Sequence, residues 1–463
     1  MTEALNNSIK DKLIVLKTAF LTEQYPSYRA RKQRLKRLSK AIIENKARLI
    51  DAAKADFSTR SEYDSLLADI IPTLSHINYL SKHLKKWMGP DKRSAGLEFL
   101  PSKVWTEYVP KGVVGIIAPW NYPIQLALVP LATSIAAGNK VMIKLSEYTP
   151  SVNVIIKRIL SVLSDDCIVI EGDADVATEF SHQAFDHLFF TGSTGVGKRV
   201  YAAAAQNLVP VTLELGGKSP LIVLEDANID KVILDIVFAK NMNAGQVCVA
   251  PDYALVHEAI YDAFIKKLKQ QFLTSNTRAP KTGILNEAHT KRLKNLMVDA
   301  QERGAKVYHS AELESLNSRD FGTHMVIEPP LDSRIMLEEV FGPVMSIIKV
   351  KSLAEAKAVV QSLEAPLACY LYTSTNAAQV DIRQNLQSGS LSINDMLFQV
   401  AVSDLPFGGI GSSGMGSYHG KEGFITFSHC KSVFQSSDNI WRSKLFSKYS
   451  HVIKGLLTRL YLR

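Results

Sequence analysis

The sequence has few cysteines, and they are far apart. Its 463 residues include four, Cys167, Cys248, Cys369 and Cys430, too few and too scattered for a disulfide framework. They form no C-x-x-C pair, and the eleven histidines form no H-x-x-x-H pattern, so no metal site is predicted. We therefore expect a reducing, cytoplasmic setting.

Long apolar runs and an evenly spread charge are also missing. No stretch reaches the ~20 apolar residues of a membrane-spanning helix, and the opening MTEALNNSIKDKLIVLK shows no secretory signal. The net charge is +9, but residues 441–463 hold six of the basic side chains and no acid. The remaining chain is nearly neutral, which argues against a general nucleic-acid binder.

Short apolar runs alternating with helical patterns dominate what is present. The first hundred residues favour helices, with Leu35, Leu38, Ile42 and Leu49 at roughly helical spacing. From Val113 onward, runs such as VVGIIA, VMIKLS, CIVIEG and HLFF alternate with helical segments. This βαβ alternation predicts an α/β fold with parallel sheets covered by helices. A later glycine-rich stretch, LPFGGIGSSGMGSYHGKEG, predicts irregular backbone rather than a packed helix.

The stretch HLFFTGSTGVGKRV, residues 187–200, leaves alternatives open. It matches the P-loop template up to Lys198, but Arg199 stands where a Ser or Thr hydroxyl would bind Mg²⁺. It matches the Rossmann template G-x-G-x-x-G only imperfectly. In either case a strand meets a glycine turn that opens a helix, whose N-terminus favours an anion such as phosphate. A plain strand-to-helix turn is an equal alternative on these residues alone.

Three residues could together serve acyl-transfer chemistry at a carbonyl. Cys248 in NAGQVC offers a nucleophile, Glu214 in LELGGKSP a carboxylate, and Asn121 in APWNYP an amide donor. Taken singly, each has an ordinary interpretation: a buried cysteine, a solvated strand-end acid and a turn asparagine.

Seven ordered motifs carry a family resemblance. APWNYP, KLSE, FTGSTGVGK, LELGGKSP, NAGQVC, EEVFGPV and LPFGGIGSSGMG resemble those of the aldehyde dehydrogenase superfamily, over about residues 10–435. The segments CVAPDY and GMGSYHGKEGF resemble its class 3 branch, and further stretches resemble bacterial coniferyl-aldehyde dehydrogenases.

The resemblance implies a domain plan for the α/β fold. A Rossmann-like NAD-binding domain, a second α/β catalytic domain, small oligomerisation arms and a basic amphipathic tail follow from it. Their expected bounds are 1–95 with 112–213, then 214–393, then 96–111 with 394–440, and finally 441–463.

The resemblance also implies NAD(P)-dependent oxidation of an aldehyde to a carboxylic acid. Cys248 would attack the aldehyde carbon, and the Asn121 amide with the Cys248 backbone N–H would hold the oxyanion. Hydride loss to the nicotinamide would leave a thioester, which Glu214 would hydrolyse as general base. Coenzyme A as acceptor is an alternative, and a P-loop nucleotide-binding protein is a weaker one because of Arg199.

Cofactor and substrate residues are implied in the same way. The expected dinucleotide contacts are Trp120, Lys144, Glu147, Gly192, Ser193, Val196, Leu215, Glu339 and Phe341. Spacing to Phe341 favours Glu339 over Glu338. A carboxylate at Glu147 favours NAD over NADP, although NADP stays open. Tyr122 and Phe238 are expected to line a pocket for aromatic or medium- to long-chain aldehydes.

Two association surfaces are expected. The branch implies a homodimer. In the tail, a helical stripe of apolar residues faces a basic side, which favours peripheral contact with an anionic membrane or docking on protein. The stripe comprises Trp441, Leu445, Tyr449, Val452, Ile453, Leu456, Leu457 and Leu460.

Overall fold

The structure, a computed structural model, describes residues 2–96, 99–275, 282–309 and 319–462. Residues 97 and 98 of the first expected arm, and residue 463 of the tail, lie outside that range. The α-helices α1 to α18 are Thr2–Thr22, Tyr28–Glu44, Lys46–Asp56, Glu62–Ser65, Ile71–Trp87, Gln125–Ala137, Pro150–Leu160, Ala174–Ser181, Thr194–Ala205, Ile229–Asn241, Glu258–Ser275, Glu287–Glu302, Arg334–Leu337, Leu353–Ser362, Asn376–Asn385, Gly420–Thr426, Trp441–Lys448 and Ser450–Tyr461.

Sixteen strands appear in the same described ranges. Strands β1 to β16 are Asp91–Arg93, Lys103–Pro110, Val113–Ile117, Lys140–Lys144, Cys167–Ile170, His187–Thr191, Val211–Glu214, Pro220–Val223, Tyr253–His257, Lys306–His309, His324–Ile327, Val344–Val350, Ala368–Tyr372, Ser390–Ile393, Gly414–Met415 and Ser428–Gln435.

The first sheet has six strands in the order β15-β7-β6-β3-β4-β5. Strands β3 to β7 are parallel, and β15 closes the edge antiparallel to β7. Helix α6 packs on β3 and β4, and α9 packs on β6 and β7. Strands β3 and β4 are buried along their whole length, as apolar runs covered on both faces require.

The second sheet has seven strands in the order β10-β11-β12-β9-β8-β13-β14. All neighbouring pairs are parallel except β10 with β11. The predicted parallel α/β architecture is therefore confirmed. The helical spacing of the first hundred residues is confirmed as well, because Leu35, Leu38, Ile42 and Leu49 are fully buried.

A third, small sheet joins distant parts of the chain in the order β1-β2-β16. Strand β16 pairs with β2 over eight residues and leaves most of its own side chains exposed. Strand β1, at 91–93, belongs to this sheet although the expected bounds assigned residue 95 and those before it to the first domain.

Two local expectations differ from the structure. The glycine-rich segment is irregular in its first part but ends in α16, because Gly423 lets the helix approach Thr133 on α6. The tail is not one continuous helix: α17 and α18 are separated at Tyr449, whose φ of −120° and ψ of 35° are not helical. The side chains of Leu445 and Leu460, two members of the expected stripe, lie outside the described residues. Within the described part of the chain, no helix combines the length and apolarity that crossing a membrane demands.

Candidate active site

The carboxyl ends of parallel strands bring several expected residues to one edge of the first sheet. Asn121 follows β3, Lys144 ends β4, Ser193 follows β6 and Glu214 ends β7. Loops at this edge of an open α/β sheet are the usual ligand-binding position. The order of strands thus unites motifs separated by almost a hundred residues.

The glycine turn after β6 presents an unblocked helix N-terminus. Ser193 is the N-cap of α9, yet its side chain does not cap the first turn. The buried Thr191 hydroxyl has no hydrogen-bond partner. A Cβ at Gly192 would overlap the Phe190 ring, so glycine lets the turn pass this close to its own strand. The free N–H groups and hydroxyl suit a pyrophosphate.

Cys248 follows a turn with an unusual backbone. Asn243, Ala244 and Gly245 have φ values of 48°, 53° and 68°, all in the left-handed region. A side chain at Gly245 would overlap the Gly342 carbonyl, so this turn and the loop carrying Phe341 are in direct contact. Such strained backbone persists only where the surroundings hold it, which is typical of functional sites.

The Cys248 side chain is partly exposed. Burial of the sulfur, followed by the negative charges of Glu339 and Glu214, raises the pKa of the thiol to about 12. The backbone N–H groups of Cys248 and Val249 act in the opposite direction and lower the pKa. Donors that stabilise a thiolate are therefore already directed at the sulfur, although burial dominates.

Asn121 is held against the turn that precedes Cys248. Its side-chain Nδ2 donates to the Gln246 carbonyl at 3.2 Å, and its own carbonyl accepts from Asn243 Nδ2 at 3.0 Å. Asn121 is buried, with 4% of its surface exposed. An amide nitrogen has two hydrogens, so a second donor remains available for an oxyanion.

Glu214 is a buried carboxylate that lacks partners. Its exposed fraction is 2%, and neither carboxylate oxygen accepts a hydrogen bond. Burial raises the pKa of this carboxyl well above its usual value. A buried, unpaired acid beside a partly exposed thiol is the environment that tunes a general base.

Two cavities meet at Cys248. The larger, of about 560 Å³, is lined by nine of the expected residues. They are Trp120, Asn121, Gly192, Ser193, Glu214, Leu215, Cys248, Glu339 and Phe341. Three expected cofactor residues are not in its lining. Lys144 and Glu147 form an ion pair at 2.7 Å beyond the end of β4, and Val196 lies in the first turn of α9.

The smaller cavity, of about 230 Å³, is apolar. Tyr122 and Phe238 both line it, and the Phe238 ring stacks on Phe398 with centroids 5.5 Å apart and planes 11° apart. Cys248 lines this cavity as well as the larger one. One sulfur is therefore accessible from both sides.

Glu339 and Glu338 differ in their surroundings. The Glu339 carboxylate lies against Gly216, where any Cβ would overlap it, and accepts a hydrogen bond from the Gly217 N–H. Burial raises its pKa to about 8. The Glu338 side chain instead pairs with Arg334 at 2.8 Å and is 42% exposed. Both residues line the larger cavity, and the choice of Glu339 stays a prediction.

The sequence analysis did not identify three further residues that line the larger cavity. Arg292 on α12 donates to the carbonyls of Glu339 (2.9 Å) and Val340, and the His289 ring lies 5.2 Å from that of Trp120. Tyr418 lines both cavities. Only Tyr418 could have been found earlier, because it lies inside the motif GMGSYHGKEGF.

Comparison with known proteins identifies the family of this chain. Residues 17–433 match the model of the aldehyde dehydrogenase family. The chain belongs to the aldehyde dehydrogenase family. This aldehyde dehydrogenase is 41% identical to a probable coniferyl aldehyde dehydrogenase of Pseudomonas aeruginosa, covering 96% of this chain and 95% of that protein.

Two further comparisons extend this result. A dimeric, NADP-preferring aldehyde dehydrogenase of Rattus norvegicus is 35% identical, covering 93% of this chain and 95% of that one. A substrate-bound structure of Staphylococcus aureus AldH superposes with a TM-score of 0.89 at 37% identity, covering 97% and 99% of the two chains.

Family membership argues against the P-loop alternative. The protein is an oxidoreductase that oxidises a small-molecule aldehyde with NAD or NADP. A dinucleotide pyrophosphate needs no Mg²⁺, so Arg199 does not conflict with this assignment. The predicted family, fold class and activity are confirmed.

Proposed function

We propose that this aldehyde dehydrogenase oxidises aldehydes with an aromatic or long apolar body, using Cys248 as nucleophile. The observation that carries the proposal is that Cys248 is shared by an apolar cavity and a larger one that also contains Asn121 and Glu214. An apolar aldehyde in the smaller cavity presents its carbonyl to the sulfur. Coniferyl aldehyde, named for the Pseudomonas aeruginosa relative, is the first substrate to test.

The chain's own residues divide the chemistry. Sγ of Cys248 bonds to the carbonyl carbon, and the oxyanion receives hydrogen bonds from Asn121 Nδ2 and the Cys248 N–H. The bound dinucleotide supplies the hydride acceptor. Loss of hydride from the carbonyl carbon leaves a thioester; Glu214 then takes a proton from water, whose oxygen attacks the thioester, so that the acid is released and the Cys248 thiolate re-forms. Its missing hydrogen-bond partners leave both carboxylate oxygens free for that water.

The residues around the larger cavity fit a dinucleotide. We assign it to Trp120, Lys144, Glu147, Gly192, Ser193, Val196, Leu215, Glu339 and Phe341. Lys144 already pairs with Glu147 at 2.7 Å, so the lysine is not free to bind a 2′-phosphate. This ion pair supports a preference for NAD, because the Glu147 carboxylate accepts from ribose hydroxyls and repels a phosphate there.

The test is an NAD(P)H absorbance assay over an aldehyde panel with wild type, Cys248→Ser and the control Cys430→Ser. Cys430 is exposed on β16 and is outside both cavities. We expect C248S to lose NAD(P)H formation while still binding NAD, and C430S to behave as wild type. Equal kcat/KM values for acetaldehyde and cinnamaldehyde would contradict the apolar-substrate proposal, and an active C248S would contradict the nucleophile.

We further propose that the chain forms two α/β domains and a homodimer. Arms at 96–111 and 394–440 would support the dimer. The rat relative is described as dimeric, and β16 presents an unpaired strand edge on the small sheet. Light scattering after size exclusion tests this directly, with a monomer mass as the contrary result.

Finally, we propose that the tail, residues 441–463, makes peripheral contact with an anionic membrane. Phe446, Tyr449, Val452 and Leu456 are each more than half exposed, so the apolar side of the tail is not covered by this protomer. Its basic side chains complement anionic lipid. In a sedimentation assay, the full chain should pellet with anionic vesicles, whereas a chain ending at Asn439 should stay in the supernatant. Equal retention of both would exclude the membrane contact.

A further inference from the structure

A buried arginine outside the sequence motifs lies beneath the segment that carries Asn121. Arg60, between α3 and α4, is 3% exposed. Its Nη1 donates to the Asn121 carbonyl at 2.9 Å. Its guanidinium carbon lies 5.3 Å from the ring centre of Tyr122 and 4.6 Å from that of Phe57.

Asp69 binds both Arg60 and the residue that follows the same loop. Its Oδ2 accepts from Arg60 Nη2 at 3.4 Å, and its Oδ1 accepts from the Gln125 N–H at 2.5 Å. Gln125 is the first residue of α6. Arg60 and Asp69 therefore hold the β3–α6 loop, residues 118–124, at its middle, Asn121, and at its junction with α6.

The local backbone aims Asp69 at this loop. Residues Leu66–Ile70 form a π-helical turn between α4 and α5, and such turns occur frequently at functional sites. Asp69 is fully buried. A buried ion pair is a poor source of stability because desolvation offsets the attraction, and a geometric role explains its presence better.

We propose that Arg60 is a positioning residue that, anchored by Asp69, fixes the main chain of Asn121 so that its side-chain amide stays beside Cys248. The inference rests on the proposed role of Asn121. Asn121 Nδ2 reaches the Gln246 carbonyl, two residues before the cysteine, only while the Asn121 main chain stays in place. A displacement of about 1 Å at such a donor can cost about a hundredfold in rate.

The experiment measures single-turnover NAD(P)H formation in Arg60→Gln and Arg60→Lys, each made in wild type and in Asn121→Ala. We expect N121A to slow the reaction about 10²- to 10³-fold, and R60Q to slow it about 10- to 100-fold in wild type. In the N121A background the R60Q effect should vanish, because the amide it positions is gone. R60K keeps the charge beside Asp69 and should recover part of the rate.

Arg31 provides the matched control. It is also fully buried, and it donates to the carbonyls of Ala136 (3.1 Å) and Ala137 (2.6 Å) at the end of α6. Arg31→Gln should lower the thermal midpoint, and any effect on rate should be equal in both backgrounds.

The possible results distinguish the positioning role of Arg60 from the proposed role of Asn121. An R60Q effect of the same size in both backgrounds, or no effect in wild type, overturns the positioning role of Arg60. If R60Q does not fold, the smaller loss in R60K carries the same comparison. An unimpaired N121A would refute the proposed role of Asn121 itself, and the inference with it.

Discussion

The two cavities that meet at Cys248 are built in different ways. The larger includes glycines and short polar residues at the ends of parallel strands, such as Gly192, Ser193 and Gly216, beside longer side chains from other elements. The apolar one is formed by side chains from helices and loops far apart in sequence, such as Ile71, Phe238 and Phe398. The strand ends thus place the proposed catalytic residues at one sheet edge, whereas the proposed substrate pocket depends on side chains scattered along the chain.

The largest effect is expected when the proposed base, Glu214, is removed from the larger cavity. Glu214→Gln cannot take a proton from water, so steady-state turnover should fall about 10²- to 10⁴-fold. The first turnover of NAD(P)H should persist, because it precedes hydrolysis. Rapid-mixing absorbance distinguishes the two phases. Glu171→Gln, whose exposed side chain pairs with Lys157 outside both cavities, should match wild type; loss of the burst in E214Q would contradict the assignment.

The second prediction concerns how the reactivity of the Cys248 thiol, which both cavities share, depends on pH. Burial raises the pKa of Cys248 to about 12 and that of Glu214 well above its usual value. The reactive forms are the Cys248 thiolate and the Glu214 carboxylate. We therefore expect low reactivity at neutral pH, and the thiolate population should rise about tenfold per pH unit as pH increases. The alkylation rate by iodoacetamide, in a C430S background without cofactor, reports the thiolate.

The negative charge of Glu339 is the second cause of that raised pKa. In the same alkylation assay, Glu339→Gln should therefore shift the rising limb to lower pH. An unchanged profile in E339Q, or a rate independent of pH, would contradict this account.

A smaller change is expected beyond the end of β4, outside the lining of the larger cavity. Glu147→Gln removes the carboxylate that we propose disfavours a 2′-phosphate, and it frees Lys144 from its ion pair. The ratio of kcat/KM for NADP to that for NAD should rise about tenfold, equivalent to ~1.4 kcal/mol. Glu171→Gln, which removes an exposed pair with Lys157, controls for the loss of a charge nearby. A constant ratio would show that Glu147 does not select the cofactor.

The smallest expected effect concerns the apolar cavity. Phe238→Ala removes the ring that stacks on Phe398. Phe238 also lines the apolar cavity, and an aromatic contact with the substrate ring would contribute ~0.5–1.5 kcal/mol, so KM for cinnamaldehyde should rise about two- to tenfold. KM for acetaldehyde, measured on the same variant, should stay near the wild-type value because that substrate does not reach the ring. Equal changes for both aldehydes would mean that Phe238 acts on the fold.

Sequence reasoning was sufficient where a residue acts through local backbone. The glycine turn after β6, the parallel sheets and the buried face of α2 follow from patterns within short windows. Arg60, Arg292 and Phe398 could not be found in this way, because their roles depend on contacts across many residues of chain. The helix α16 was missed because Gly423 is used for close packing, while glycine count alone suggests a loop.

The pairing of β15 with β7 has a consequence for how the enzyme matures. Gly414 is the direct partner of Glu214, and the Leu215 N–H donates to the Ser413 carbonyl at 3.1 Å. On a ribosome, about 200 residues separate the emergence of the two strands, or roughly 10–40 s at usual elongation rates. A nascent chain therefore carries Cys248 and Glu214, the proposed nucleophile and base, long before the segment that pairs with β7, so catalytic competence should arrive late in synthesis.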